Sequence, residues 1–448
     1  MQLFSRKMRA WVDPADVFVT LYANDRQAFW LDRENHPTAR YSVMGQAHQG
    51  RILDAGTALN RLNQPQASFD LMDEEPPFSW RPGFIGWFDY LATELGPDDP
   101  SAALTGRWAE AREAVVFDHD EKAIWFTGAF NDTDHFNEWV RGVMLRLALS
   151  GGQSIGYRQR NRRAQAPQLV SMAHSPAAYH DLIQQAQQHI AAGDVYQLCL
   201  TNRLTFSHSD SPLAVFLELR QQNPAPYAAF FQFDDTALVC SSPEQFLAVS
   251  ADKRVSTKPI KGTRPRSADP QVDAAIAEEL ANNLKERAEN LMIVDLMRND
   301  LGRVAEPDSV TVDQLFAVEQ YATVHQLVST VSAQLLPDVT AEALMAATFP
   351  GGSMTGAPKL RAMQLIADLE GVDRGTYSGV AGHLALDGSL DLGMVIRSLV
   401  FEGPLVTLGV GGGITIDSDP LAEVAETELK AQALLKVLGA DNPWQLDW

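Results

Sequence analysis

Two groups of glutamates have the spacing that would place their carboxylates on one side of a helix. Glu286 and Glu289 are three residues apart, and Glu423, Glu426 and Lys430 follow at intervals of three and four. Such intervals put side chains on one helical face. Two helices with paired carboxylates offer the hard oxygen ligands that Mg²⁺ prefers, and the ion could hold a substrate carboxylate. Because the chain has 57 acidic residues, chance spacings on solvated faces are the alternative interpretation.

A β-hairpin is predicted in the segment SSPEQFLAVSADKRVSTKPIKGTRPR. We expect strands over 245–250 and 254–258, joined by a turn at 251–252. If the turn has two residues, the pairing extends beyond the strands and places Lys261 opposite Ser242.

The same register brings an acid and an amine together. Glu244 would lie on the diagonal from Lys261, about 7–8 Å away at the backbone, so both side chains could converge on one small ligand. A carboxyl and an amine held in this way suit a general acid and a nucleophile, provided that burial keeps the lysine partly neutral. The alternative is an exposed cross-strand ion pair, which contributes little.

Two glycine-rich segments do not fit the nucleotide-binding patterns that they superficially match. In PGGSMTGAPK (350–359), Ala357 stands where a phosphate-binding loop requires lysine. In GVGGGI (409–414), Ile414 stands where a dinucleotide-binding loop requires its third glycine. Nucleotide binding is therefore excluded as an interpretation of both segments.

Several single polar residues suggest anion binding or burial. Ser353 and Thr355 precede Pro358 at a predicted helix start, where free amides favour an anion such as a carboxylate; a capped helix is the alternative. His325 lies in an apolar run and is expected to be buried and hydrogen-bonded. Arg397 interrupts a strand-like run and needs a partner, either a bound anion or an internal carboxylate.

The elements that must position these groups alternate between strands and helices without a regular repeat. The predicted elements are a helix from Ser175-Pro176 to Gly193, a β-rich run over 195–206, a helix starting at Ser211, a hairpin of YAAFFQF and TALVCS joined at Asp234-Asp235, a helix from about Asp273 to Arg298, and a helix capped by Asp419-Pro420. Adjacent strands followed by long helices favour an α+β fold.

The net charge, the apolar stretches and the number of cysteines exclude several classes of protein. The net charge of −21 among 448 residues argues against a nucleic-acid partner, and no apolar stretch approaches the roughly 20 residues of a membrane span. The two cysteines exclude a disulfide framework or a cysteine zinc cluster, and the N-terminus lacks a signal-peptide pattern. We therefore expect a cytoplasmic protein. The basic segment 151–167 is interpreted as a linker, with a boundary near residue 168.

Together the segments resemble the chorismate-utilising enzymes, a family that includes anthranilate synthase, aminodeoxychorismate synthase, isochorismate synthase and salicylate synthase. The resemblance runs from about His174 to Leu438 and rests on GDVYQLCLTNRL, SSPEQF, KPIKGTRPR, KERAENLMIVDLMRNDLGRV, FPGGSMTGAPKLRAM and DSDPLAEVAETELKA. It implies an α+β fold, a two-layer antiparallel β-sandwich flanked by helices. Residues 1–167 would form a β-rich region of the same sandwich, and 168–448 the catalytic region.

The resemblance also implies an active site between the sheets, with Mg²⁺ bridging helix glutamates and the ring carboxylate of chorismate. Glu289 and Glu426 are expected to be direct ligands of the metal, supported by Glu286 and Glu423. The expected substrate contacts are Gln197, Thr263, Ser353, Tyr377, Arg397, Gly411, Gly412 and Lys430.

Two positions discriminate between branches of the family. Isochorismate and salicylate synthases carry a water-activating lysine where this chain has Gln197, so the resemblance disfavours addition of water. Anthranilate synthases typically carry alanine at the position of Lys261, which is similar to the nucleophile of aminodeoxychorismate synthases. In the implied reaction, Lys261 attacks ring carbon 2 of chorismate, Glu244 protonates the hydroxyl leaving carbon 4, and ammonia replaces the lysine; His325 is expected to act in positioning.

The expected product is 4-amino-4-deoxychorismate, on the route to 4-aminobenzoate and folate. Neither Cys199 nor Cys240 has the Gly-x-Cys-x-Gly setting of a glutaminase, so a separate glutamine amidotransferase subunit is expected to supply ammonia. The alternatives are anthranilate synthase component I, with amination at ring carbon 2 and loss of pyruvate, and a catalytically idle subunit that binds chorismate or an amidotransferase.

Overall fold

A computed structural model describes residues 1–62, 75–90, 104–162, 167–321 and 324–445. The strands in these ranges are β1 (Gln2–Met8), β2 (Gln27–Asp32), β3 (Tyr41–Gln46), β4 (Ile52–Asp54), β5 (Gly83–Phe88), β6 (Gly106–Ala111), β7 (Glu113–Asp118), β8 (Ala123–Phe130), β9 (Leu169–Met172), β10 (Gln197–Ser207), β11 (Tyr227–Phe233), β12 (Thr236–Ser242), β13 (Gln245–Val249), β14 (Arg254–Lys258), β15 (Ile260–Pro265), β16 (Thr311–Gln320), β17 (Val324–Gln334), β18 (Gly356–Ala357), β19 (Val380–Ala385), β20 (Leu390–Met394), β21 (Ser398–Glu402) and β22 (Leu405–Ile414).

The helices of the same ranges are α1 (Pro14–Tyr22), α2 (Ala55–Leu62), α3 (Thr133–Leu147), α4 (Gln153–Asn161), α5 (Pro176–Ala191), α6 (Pro212–Gln222), α7 (Pro270–Asn282), α8 (Leu284–Gly302), α9 (Ala341–Thr348), α10 (Lys359–Glu370) and α11 (Pro420–Leu438). None of them is long and apolar enough to cross a membrane.

The described strands form two antiparallel sheets. The larger sheet has the order β1-β8-β7-β3-β2-β11-β12-β21-β22-β10-β18, with β9 on β10. The smaller has the order β15-β17-β14-β13-β20-β19-β5-β6-β4, with β16 on β17. Strands from before and after residue 168 share both sheets, since β2 pairs with β11 and β5 pairs with β19.

The two sheets pack face to face, and helices cover their outer faces. Side chains of both sheets, such as Phe231 and Trp87, share one buried cluster between the layers. A second cluster joins the larger sheet to α1, α3, α6 and α11, and a third joins the smaller sheet to α2, α8 and α9. The expected α+β architecture, a two-layer antiparallel sandwich flanked by helices, is confirmed.

Local sequence signals explain several elements. Ser175 caps α5 by accepting a hydrogen bond from the Ala178 amide, with Pro176 in the first turn. Asp419 caps α11 in the same way through the Ala422 amide. The hairpin of β11 and β12 turns at residues 234–235, as predicted.

Three expectations about local structure are wrong. Residues 153–161 of the expected linker form α4, which packs against α1 and α6. The helix expected over 273–298 is two helices, because Asn283 leaves the helical conformation and caps α8 by accepting from the Glu286 amide. The hairpin of β13 and β14 turns through three residues, 251–253, with Lys253 at a φ of 63°.

Candidate active site

A glycine-rich strand forms the floor of the candidate site. β22 lies between β21 and β10 in the larger sheet. A Cβ atom at Gly411 would stand 2.2 Å from the Leu200 carbonyl oxygen, and one at Gly413 would stand 2.6 Å from the amide nitrogen of Gln197. Because any larger residue would collide with its neighbours, the glycines keep the floor open.

The amine and the acid predicted from sequence do converge, but by a different route. Lys261 lies on β15 opposite Leu327 of β17, and not opposite Ser242 as expected, because the chain leaves the hairpin at Pro259. Glu244 occupies the short connection between β12 and β13 and is 7% exposed. Lys261 lies close enough to Glu244 for its charge to act on the carboxyl.

The surroundings of Glu244 favour its protonated form near neutrality. Burial raises the pKa of Glu244 from 4.5 to about 7, against the opposing effects of the Ser353 hydroxyl, the Lys261 charge and the Ile260 amide. A carboxyl with this pKa can donate a proton at physiological pH, as a general acid must.

The paired carboxylates face one another from α8 and α11. Burial raises the pKa of Glu289, and the charges of Glu286 and Glu423 add to the rise. Glu423 accepts a hydrogen bond of 2.7 Å from the Ser418 hydroxyl. Glu286 instead pairs with Arg264 at 3.3 Å. The four predicted metal-binding glutamates are therefore linked electrostatically, and Glu286 also pairs with an arginine.

Lysines neutralise this acidic group. The ammonium of Lys430 lies 2.5 Å from Glu426 and donates to the Gly411 carbonyl oxygen at 2.7 Å. Lys261 lies 4.0 Å from Glu289, and Lys285 lies 3.9 Å from the other oxygen of that carboxylate. As the side chains stand, no three acidic, histidine or cysteine residues of the described ranges are close enough to hold a metal ion.

The donor set nevertheless fits a hard divalent cation. The position of a Cβ at Gly412 would be 3.1 Å from a Glu423 oxygen and 3.8 Å from a Glu426 oxygen, so these carboxylates border a cradle above the floor. The cradle contains the oxygen ligands that Mg²⁺ prefers. For a metal to fill it, Glu289 and Glu426 would exchange their lysine partners for the ion.

Gln197 is an unsatisfied polar group at the same place. Its side chain is fully buried, and within the described structure neither its amide nitrogen nor its carbonyl oxygen has a hydrogen-bond partner. Since unpaired buried polar groups are costly, such a group points to a missing ligand. A Cβ at Gly413 would lie between this amide and the Lys261 ammonium, 2.6 and 3.4 Å away.

Arg397 borders the site from the turn before β21, and Tyr377 borders it from the turn before β19. Burial lowers the pKa of Arg397, whereas Tyr377 and Glu426 act to raise it. The backbone of Arg397 has a φ of 51°, an unusual value for a residue with a side chain. The ring of Tyr377 packs on Gly409, and burial raises its pKa. Glu426 is thus a carboxylate whose charge acts on Arg397, and a bound anion as the partner of Arg397 stays a prediction.

Two other predicted residues have different surroundings. His325 is fully buried, and its Nε2 lies 2.9 Å from Asp273, which also pairs with Arg266 at 2.8 Å. Thr263 is exposed on β15, where its backbone is paired with that of Gln326 on β17. His325 therefore belongs to a charged cluster at α7, which agrees with the expectation of a buried, hydrogen-bonded histidine.

A buried ion pair next to the site was not predicted. Arg374 and Glu370 lie 2.6 Å apart, both almost fully buried. Glu370 accepts from the Thr201 amide at 2.7 Å, and Arg374 donates to the Cys199 carbonyl at 2.6 Å. The pair fixes α10 and the turn before Tyr377 to β10, the strand of Gln197. Its sequence signal is an acid and a base at an i,i+4 interval.

Comparisons with known proteins show the family to which the chain belongs. A family described as chorismate binding enzyme matches residues 21–436. The chain is 39% identical to an aminodeoxychorismate synthase of Streptomyces griseus over 99% of its own length, and it spans 65% of that relative. It is 44% identical to aminodeoxychorismate synthase component 1 of Salmonella typhimurium, covering 90% of each chain.

Solved structures give the same result for the fold. Anthranilate synthase component I from Streptococcus pneumoniae is 27% identical, with a TM-score of 0.74 over 90% of this chain and 92% of that one. The family match covers most of the chain, and the structural likeness covers 90% of it. The chain therefore belongs to the chorismate-binding enzymes.

Proposed function

We propose that this protein aminates chorismate at ring carbon 4 with ammonia to give 4-amino-4-deoxychorismate, a precursor of 4-aminobenzoate and folate. The observation that carries the proposal is a buried Glu244 carboxyl whose pKa is about 7 and on which the Lys261 charge acts, at a floor of glycines. These groups have the chemistry of a nucleophile and a general acid. The names of the Streptomyces and Salmonella relatives support this reaction.

In the proposed mechanism, Lys261 loses a proton to solvent, and its nitrogen then forms a bond to ring carbon 2 as the ring double bonds shift. The bond between carbon 4 and its hydroxyl oxygen breaks, and Glu244 gives the proton that lets the hydroxyl leave as water. Ammonia then bonds to carbon 4 as the double bonds shift back. The bond from Lys261 to carbon 2 breaks, which frees the lysine amine, and the ammonium group formed at carbon 4 returns a proton to the Glu244 carboxylate.

We propose Mg²⁺ as the cofactor, held by Glu289 and Glu426 with support from Glu286 and Glu423. When bound, the ion supplies positive charge for the ring carboxylate of chorismate. Arg397, Lys430 and the amides near Gly411 would bind and orient the substrate anions, in a site whose floor excludes bulky side chains.

The proposed source of ammonia is a separate glutamine amidotransferase subunit. The Salmonella relative is named as component 1 of its synthase, which supports a second component. Because ammonia itself is the nucleophile in the proposed second step, ammonium salts should replace the partner for the isolated chain.

A second candidate is anthranilate synthesis, favoured by the structural likeness to anthranilate synthase component I. The two reactions differ in the carbon that receives the amine and in whether pyruvate leaves. Lys261 argues for the first, since a covalent lysine step at carbon 2 directs ammonia to carbon 4.

The proposal can be tested with purified protein, chorismate, Mg²⁺ and ammonium, by mass spectrometry of the products and of the intact chain. Wild type should give a non-fluorescent aminated chorismate. Lys261→Ala should lose this product and any protein adduct with the mass of chorismate minus water, whereas Lys436→Ala, an exposed change on α11, should not. Fluorescent anthranilate would favour the second candidate, and undiminished synthesis by Lys261→Ala would refute the lysine step.

A further inference from the structure

Lys285 lies at the mouth of the acidic group and has no place in the reaction proposed above. It is in the first turn of α8, next to Glu286, and its side chain is 56% exposed. Its ammonium is 3.9 Å from an oxygen of Glu289. The side chain therefore reaches over the carboxylates from the solvent side.

The charge of Lys285 acts on both helices. Burial raises the pKa of Glu423, and Lys285 is among the cations that oppose this rise from across the gap. Burial also acts to raise the pKa of Glu426, but Lys430, Lys285 and Lys261 together lower it. One exposed ammonium thus forms an ion pair with a carboxylate of α8 and acts through its charge on two carboxylates of α11.

The two other lysines of the group have contacts that Lys285 lacks. Lys430 donates to the Gly411 carbonyl oxygen, which fixes it to the floor. Lys261 is 14% exposed and acts on Glu244 as well as Glu289. For Lys285, in contrast, the described structure provides the ion pair with Glu289 and no hydrogen bond.

We propose that Lys285 is a placeholder cation, which compensates the facing carboxylates when no metal is bound and is displaced when a divalent cation enters. The inference rests on the magnesium site of the proposed function. It explains why the carboxylates lie near one another without a chelating arrangement: lysines occupy the positions around them. An ammonium and a divalent cation that compete for the same carboxylates must weaken each other's binding.

The expected effect is an increase in metal affinity when the placeholder is removed. Exposed ion pairs contribute modest free energies, so Lys285→Gln should lower the Kd for Mn²⁺ roughly two- to fivefold. The measurement is Mn²⁺ binding to the chorismate-free full chain by electron paramagnetic resonance at fixed ionic strength, repeated with Mg²⁺ by calorimetry. Lys285→Arg keeps the charge and should keep the wild-type Kd.

Arg298→Gln is the matched control, because it removes the same charge from the far end of α8, where Arg298 pairs with Asp295 at 3.0 Å. Tighter binding by Lys285→Gln alone supports the placeholder. A Kd that stays at or rises above the wild-type value overturns the inference while leaving the proposed amination intact, since product formation is measured separately. A wild-type chain that binds neither ion overturns the metal site and the placeholder together.

Discussion

Replacing Glu244 with glutamine should change how stability depends on pH. Burial holds the pKa of Glu244 at about 7 in the folded chain, against 4.5 for an exposed glutamate. Because the pKa of this carboxyl is higher in the folded chain, its ionisation lowers the free energy of unfolding. This free-energy cost is absent below about pH 4.5, grows between pH 4.5 and 7, and is complete above about pH 7. At about 1.4 kcal/mol for each pKa unit, the full cost is about 3.5 kcal/mol.

Glu244→Gln removes the ionisation and keeps the shape of the side chain. The free energy of unfolding, measured with denaturant at pH 5 and at pH 8.5, should therefore fall by about 2.5 kcal/mol more in wild type than in the variant, because a small part of the cost is already present at pH 5. Glu278→Gln, the same change at an exposed position on α7, should leave the wild-type pH dependence unchanged. If the free energy of unfolding had the same pH dependence in wild type and in Glu244→Gln, the raised pKa of the Glu244 carboxyl would be refuted.

Two further substitutions test the floor and the buried ion pair. Gly413→Ala should lower kcat/KM at least tenfold, because the added methyl group would stand 2.6 Å from the side-chain amide of Gln197. Gly142→Ala, which has open space around it on α3, should keep the wild-type kcat/KM. Equal activities of the two variants would contradict the role of the glycines in keeping the site open. Glu370→Gln leaves its buried arginine partner without a counter-charge and should cost about 3–5 kcal/mol in denaturant unfolding. Asp295→Asn, in an exposed pair, should cost less than about 1 kcal/mol, and a similar loss in both variants would count against the buried pair.

The elements that sequence predicts well are those with a strong local signal. The caps of α5 and α11 are set by an acceptor side chain followed by proline, and the turn at 234–235 is set by two aspartates between apolar strands. These signals act within a few residues, so they can be recognised without knowledge of the fold.

The errors occur where tertiary contacts decide the outcome. Asn283 was expected to continue a helix, yet its side chain caps α8, and this cap sets the start of the helix that carries Glu286 and Glu289. The basic segment 153–161 is helical because α1 and α6 provide a surface for it. Local composition cannot distinguish a packed helix from a linker of the same polarity.

The sequence indicates which residue types belong to the candidate site, but it does not predict most of the contacts between them. Lys261 is brought toward Glu244 because β15 pairs with β17. This pairing lies outside the hairpin from which the approach was predicted. The ion pair of Glu370 and Arg374 depends on the Cys199 carbonyl, about 170 residues earlier in the chain. Such contacts follow from the sheet order and not from spacing.

The mixing of early and late strands in both sheets affects how the protein can be synthesised. Trp87 of β5 pairs with Ala381 of β19, so an early strand waits for a partner about 300 residues later. At roughly 5–20 residues per second, its edge stays unpaired on the ribosome for about 15–60 s. Unpaired edges invite aggregation, and cutting the chain near residue 168 would make that exposure permanent. Two such fragments should therefore fold only when they are produced together. Each fragment would then complete the sheets of the other before it aggregates with a second copy of itself.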